Sequence, residues 1–373
     1  MKARIIERAR ALGAGAVRIA AATTDEQTRE RLRASFERGD LATWNYDDAY
    51  ARTAASPQML LAQARSVICI AVAYATPAAQ RPRGTGRVSN YAWSRDYHAR
   101  MQTLLRSLAA EIDALAGAPV TRVTCDTAPI AERAFAAQAG LGWVGKHTNL
   151  IVPKIGSFVF LGEILTTLAL EADAPLRTSC GTCTRCVVAC PTQALRGDYT
   201  IDARRCISDL TQRTDAIPRD LRALIGTWVW GCDICQDVCP PTRNAGAHGG
   251  DSFAPLSSDA AAPRLLDLLA LRSGTFKRNF AKTAMGWRGS AVLRRNAAVA
   301  LGNEGDRASV PALVQALGTD PHRLVRGHAA WALGRIGSPR AILGLQGAMQ
   351  REREPCVREE IITALEPFAT PRR

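Results

Sequence analysis

Eight of the eleven cysteines in this chain crowd between positions 180 and 239, separated within each run by two or three residues. Such clustering in a chain of 373 residues points to metal-bound thiolates, whereas disulfide frameworks belong to short secreted chains. The first run, Cys180, Cys183, Cys186 and Cys190 before Pro191, has the bacterial ferredoxin pattern. In that pattern three cysteines hold one 4Fe-4S cubane and the fourth reaches across to another. The second run, Cys232, Cys235 and Cys239 before Pro240, has Val229 where its leading cysteine would stand. Cys206 is the nearby thiol left to supply the missing ligand. One cluster is therefore assigned to Cys180, Cys183, Cys186 and Cys239, and the other to Cys190, Cys206, Cys232 and Cys235. Paired zinc sites are the alternative for Cys-x2-Cys spacing, and the two Cys-Pro endings argue against them. Cys69, Cys125 and Cys356 read as small buried hydrophobes.

Two cubanes with all eight thiolates committed make a wire, so the chemistry lies with a partner protein or with the flanking segments. Upstream, residues 65–74 read as a buried strand, 120–124 as a second, and 98–115 and 128–140 as helices, the latter closing on Gly140. Residues 1–22 read as an amphipathic helix and a strand, with no export signal, since Arg18 interrupts the apolar stretch and no twin-arginine pair opens it. The segment 140–149 has the wrong spacing for a phosphate loop. Asp126 follows the second strand directly; Pro129 and Glu132 after it suit a helix N-cap, while a strand end is also where an acid can reach substrate.

Downstream the chain repeats every 32 residues: Arg294, Arg326 and Arg358; Ala300, Ala332 and Ala364; Leu301, Leu333 and Leu365. This is the signature of an α-solenoid of HEAT-like helix pairs, with the glycines after Leu301 and Leu333 expected to close helices. Net charge is +14, and between 271 and 340 twelve Arg and Lys stand against three Asp and Glu. Unbalanced cations at this density suit a polyanion, so Lys277, Arg278, Lys282, Arg294, Arg295 and Arg326 are candidate nucleic-acid contacts, with RNA and DNA not separable on charge. At 47% hydrophobic residues and without a membrane-length apolar run, the chain reads as globular, cytoplasmic and free of membrane association.

From Tyr91 onward the chain resembles the epoxyqueuosine reductase family. The resemblance rests on Asp96-Tyr97-His98, Asp126-Thr127-Ala128-Pro129 with Glu132-Arg133, Gly140 to Lys146, Gly156-Ser157, Leu161-Gly162-Glu163, the eight cysteines and Gly231-Cys232-Asp233-Ile234-Cys235-Gln236. It implies three parts: an α/β cobalamin-binding domain over 1–170, a bacterial two-cluster ferredoxin-like module over 171–250, and a C-terminal tRNA-binding α-solenoid over 251–373. It also implies a two-electron deoxygenation of epoxyqueuosine at the wobble position of tRNA. Electrons from an unidentified donor would enter through two 4Fe-4S clusters, and cobalamin would be reduced to cob(I)alamin. Asp126 would be the proton donor, in a pocket expected to raise its pKa by burial. Arg52, Tyr97, Asp126, Lys146, Leu150, Leu161, Ser208 and Asp233 stand in segments that match cobalamin contacts. His98 sits in a motif like that of enzymes whose histidine replaces the lower cobalt ligand, but Met101 stands at the motif's closing glycine, and His98 is not assigned as a ligand. The rival readings are a reductive dehalogenase-like cobalamin enzyme and an electron-transfer protein without cobalamin.

Overall fold

A segment apolar at every position after its first must hide both faces, and Ser66–Ala73 does so as an inner strand of a four-stranded sheet. The sheet runs Ala16–Ala21, Ser66–Ala73, Val159–Thr166, Thr121–Thr124, with each pairing antiparallel. The computed structural model describes residues 1–77 and 81–369, which pack as two units. The first holds 1–77, 96–206 and 233–254, and the second holds 81–95, 207–232 and 255–369. These units interleave along the chain and do not follow the division at 170 and 250 expected from the sequence. Among the described residues no helix is long and apolar enough to cross a membrane.

In the first unit, Phe135, Ala136 and Ala139 cover Val67, Cys69, Ala71 and Leu165 on one face of the sheet. The Tyr97–Ala116 helix buries Met101, Leu104, Leu105 and Leu108, with Asp96 capping its N-terminus and Gly117 in a left-handed conformation closing it. A Cβ at Gly162 would lie 2.7 Å from Leu105, so the missing side chain is what lets this helix approach the Val159–Thr166 strand. Cysteine-bearing segments complete the unit with short helices at Arg185–Ala189, Ile234–Asp237 and Pro240–Ala245. Cys69 and Cys125 are buried as expected; Cys356 is exposed.

The second unit is the solenoid, with helices Ser290–Glu304, Val310–Thr319, Arg323–Ile336, Pro339–Met349 and Pro355–Leu365. Two expectations are corrected here. Gly302 and Gly334 do not end helices, a task that falls to left-handed Gly305 and Gly337. A Cβ on Gly302 would lie 2.8 Å from Ala332, and one on Gly334 2.7 Å from Ala364, so the recurring glycines serve close helix packing.

The recurring arginines are not free cations either. Arg294 is bound to Asp320 at 2.7 Å and to Leu271 O, and Arg326 to Glu352 at 2.7 Å and to Asp320 O. Each acid stands 26 residues after its arginine, so the repeat encodes a ladder of ion pairs linking successive helix pairs. Arg295 is wholly buried, donating to the carbonyls of Leu210, Arg213 and Asp215. Its neighbour Asn296 donates to Thr211 O and Val229 O, and Thr211 Oγ1 accepts from Gly231 N, which fixes the backbone leading to Cys232. Arg294, Arg295 and Arg326 are therefore structural and are withdrawn as RNA contacts, whereas Lys277, Arg278 and Lys282 are exposed.

Arg295→Met keeps much of the side-chain volume but strands three buried carbonyls. It is expected to cost on the order of 3 kcal/mol or more, read as a lowered midpoint in chemical denaturation. Lys277→Met, at an exposed position, should leave the midpoint in place.

Candidate functional site

The Thr121–Thr124 strand ends beside the Val159–Thr166 strand, and the next residue, Cys125, buries its thiol against Leu161 O at 3.5 Å. Asp126 then turns outward with φ 55°, left-handed backbone that a non-glycine residue adopts only when held there. Two contacts hold it. Thr127 N donates to Cys125 O at 2.6 Å, and Asp126 N donates to Glu132 Oε1 at 2.6 Å. The following helix is Glu132–Gln138, with Ala131 before it. Asp126 is thus not a helix cap, and the helix expected over 128–140 starts late because residues 127–132 form successive tight turns.

The carboxylate of Asp126 is met by His98 from the first turn of the Tyr97–Ala116 helix. His98 Nε2 lies 3.1 Å from Asp126 Oδ2, and His98 Nδ1 lies 2.6 Å from Asp96 Oδ1. An imidazole between two carboxylates favours its charged form, and His98 is pushed up to about 9, by Asp126 first and Asp96 after. Asp126 is held below the usual carboxylate range by the His98 hydrogen bond, with help from Tyr97 and Arg133. Its side chain is 55% exposed. The expectation of a carboxyl raised by burial is therefore corrected: in this arrangement the dyad carries its proton on His98. Tyr97 stacks face to face on Phe160, 4.0 Å between ring centres, which orients the helix turn bearing His98.

The raised carboxyls lie one step further in. Glu163 is wholly buried in the sheet, opposite Cys69 on one side and Thr124 on the other. Burial and the facing Glu132 push it well above the usual range, and burial pushes Glu132 up to about 7.

A hairpin of Trp143–Val144 and Leu150–Ile151 carries Lys146. Lys146 N donates to Cys180 Sγ at 3.4 Å, and its ammonium donates to Gly181 O at 2.9 Å. Arg133, whose charge reaches Asp126, donates to Thr148 O in the same hairpin. Asp126 is thus tied to Glu132, the adjacent Arg133 to the hairpin, and the hairpin to the first cysteine. His147 in this hairpin is buried and depressed to about 4, by burial first and then by Arg133.

The thiols themselves converge. Cys186 is raised by burial and by Cys180 and Cys239, and Cys239 by burial and by Cys180 and Cys183. Cys235 is raised by burial, then by Cys206, with Asp233, Cys186 and Cys190 adding to it. After burial, the charges of neighbouring sulfurs act on one another across both runs, Cys186 reaching Cys235 as well as Cys180 and Cys239. Amide donors also point at sulfur, Lys146 N at Cys180 and Ala194 N at Cys190, the latter at 3.3 Å. Crowded thiolates receiving N–H donors are the donor set that 4Fe-4S clusters take.

Of the other assigned residues, Leu150 is buried, Leu161 flanks Cys125, and Asp233 is buried beside Cys235. Arg52 pairs with Asp48 one helical turn back, at 3.2 Å. Ser208, in the second unit, is held by the Gln212 amide. His98, Glu132 and Glu163 are the functional candidates that sequence reasoning missed as a group. The Asp96-x-His98 spacing was the available signal for the first, read for cobalt ligation when its geometry serves Asp126.

Comparison with known proteins follows this geometry. Residues 179–242 match the 4Fe-4S double cluster binding domain, 55–127 match epoxyqueuosine reductase QueG, and 282–366 match HEAT repeats. The chain is 33% identical to the epoxyqueuosine reductase of Bacillus anthracis, covering 99% of this chain and 98% of that one. It is similar, with a TM-score of 0.91 and 33% identity over 98% of both chains, to a crystal structure of epoxyqueuosine reductase with an epoxyqueuosine-modified tRNA-Tyr stem loop. It is also similar, with a TM-score of 0.90 and 32% identity over 98% of both, to the Bacillus subtilis enzyme with an aspartate catalytic loop swung out of the active site.

A histidine raised by partners adds stability that is complete below its unfolded value, near 6.5, and lost as pH rises through about 9. Histidine NMR on the full chain with oxidised clusters should show one imidazole titrating near 9, and Asp126→Asn should move that midpoint down. A His98 midpoint that stays near 6.5 in the unaltered protein is incompatible with the dyad.

Proposed function

Because the chain belongs to the epoxyqueuosine reductase family, we propose that it reduces epoxyqueuosine to queuosine at the wobble position of tRNA, with Asp126 as the acid. The observation that carries this reading is the linkage of Asp126 to Glu132, of the adjacent Arg133 to the Lys146 hairpin, and of that hairpin to Cys180. It places proton chemistry and electron supply in one unit.

Deoxygenation of an epoxide takes two electrons and two protons. Both C–O bonds break, a carbon–carbon double bond forms, and the oxygen leaves as water. Cys180, Cys183, Cys186 and Cys239 would hold one 4Fe-4S cluster and Cys190, Cys206, Cys232 and Cys235 the other, and clusters there would supply single-electron transfer from a donor protein. Cobalamin, when bound, supplies a cobalt centre that delivers the electron pair to the epoxide carbon. Arg52, Tyr97, Asp126, Lys146, Leu150, Leu161, Ser208 and Asp233 are the residues that would hold it. The exposed Asp126 carboxylate and the Lys146 loop, seated against the first cysteine, suit a redox group placed between acid and cluster.

The proton comes from the Asp126–His98 dyad. In water the charged pair is favoured and the proton rests on His98. When tRNA closes the site and excludes water, the neutral pair gains ground, which moves the proton onto Asp126, facing the opening ring. Asp96 keeps the imidazole oriented for this transfer. Lys277, Arg278 and Lys282 form an exposed basic stretch suited to the tRNA backbone. The cytoplasm is where such a substrate and reduced clusters would meet.

Two measurements test this reading. Anaerobic protein reconstituted with iron, sulfide and cobalamin should convert epoxyqueuosine in tRNA, followed by nucleoside mass spectrometry. Asp126→Asn should keep iron and cobalamin content while turnover falls by a factor of about 100 or more; near-normal turnover removes Asp126 from the mechanism. Changing Lys277, Arg278 and Lys282 together to Glu should weaken tRNA binding and flatten its salt dependence by roughly three ion equivalents. Unchanged binding places the RNA elsewhere.

A further inference from the structure

Two buried acids behind Asp126 have no part in the reaction as derived above. Glu132 Oε1 accepts the Asp126 amide, and that contact spans the tight turn in which Asp126 takes its left-handed conformation. The other side of Glu132 faces Glu163, whose Oε2 meets Thr124 Oγ1 at 3.3 Å and whose buried Oε1 has no hydrogen-bond partner among the described residues. An unpartnered carboxylate oxygen at zero exposure is costly unless it carries or shares a proton. Among the described residues Arg133 is the cation that acts on Glu132, and Asp126 opposes further negative charge there; burial, with the two acids after it, raises the thiols of Cys69 and Cys125.

We infer that Glu132 is a positioning residue for Asp126, and that Glu163 shares a proton with it so that this acceptor stays in place beneath the catalytic loop. The inference rests on the reductase reading for its consequence in turnover, but not for its geometry. Glu132 touches the backbone of Asp126 and not the reacting atoms. Without that acceptor the 126–131 turns lose their inner anchor, the Asp126 backbone relaxes from the left-handed region, and its carboxylate moves off His98. The sheet strand fixes Glu163, the helix start fixes Glu132, and the pair anchors the exposed Asp126 end of a loop whose other end is packed through Ile130.

The test uses Glu132→Gln, which keeps an acceptor oxygen of the same reach, and Glu132→Ala, which removes it. In full-length protein with oxidised clusters, Glu132→Ala should drop the His98 midpoint from about 9 toward 6.5, the ordinary value for an imidazole, while Glu132→Gln should leave it high. In the reconstituted enzyme, Glu132→Ala should lower kcat on the order of a hundredfold with KM for the tRNA stem loop unchanged, and Glu132→Gln should recover most of that loss. A His98 midpoint unmoved by Glu132→Ala overturns the inference, as does an equal kcat loss in both variants. If Glu132→Ala does not fold, a low His98 midpoint in Glu132→Gln overturns it alone. Failure of the unaltered enzyme to turn over epoxyqueuosine would count against the reductase reading and leave the titration result standing.

Discussion

Eight thiols gathered into one short stretch impose the constraint around which the remainder is arranged. Thiolates repel one another, and the shifts at Cys186, Cys235 and Cys239 register that repulsion within the fold. Only bound metal turns such crowding from a cost into a source of stability, because metal binding and folding then share one free energy. Much nearby architecture fits that need: Lys146 and Ala194 aim amides at sulfur, and Pro191 and Pro240 turn the chain after each run. Seven of the eight cysteines fall in the first unit, although residues 207–232, with Cys232, belong to the second.

The catalytic pair illustrates how environment divides roles among identical groups. Four carboxyls lie within a few contacts of one another at Asp96, Asp126, Glu132 and Glu163. Asp96 and Asp126 meet His98, which holds Asp126 below the usual carboxylate range, and the two that lean into the sheet are pushed toward the neutral form. Histidine on one side and burial on the other account for the split, in the way that paired acids acquire different tasks elsewhere.

Local pattern was sufficient for the strand at 66–73, the helix at 97–116, the cysteine grouping and the solenoid, because each depends on neighbours along the chain or on fixed spacing. It failed where the partner is distant. His98 and Asp126 are 28 residues apart, and nothing in either segment states that they meet. Glu163 alternates in a strand as an exposed acid might, and its burial comes from a helix 30 residues earlier. The solenoid arginines are the instructive failure. Counted as charge they suggest a phosphate-binding face, yet the acids that consume them recur at their own fixed offset, so the same periodicity held both halves of the answer.

That ladder separates two populations of cation in one domain. Arg294 and Arg326 face acids in sites only 8–17% open, where counter-ions scarcely penetrate, while Lys277, Arg278 and Lys282 stand in solvent within reach of every ion. Raising ionic strength therefore discriminates between them. A moderate salt step screens the exposed cations while the shielded pairs continue to bind helix to helix, so the charge of this surface can be masked without loosening its frame.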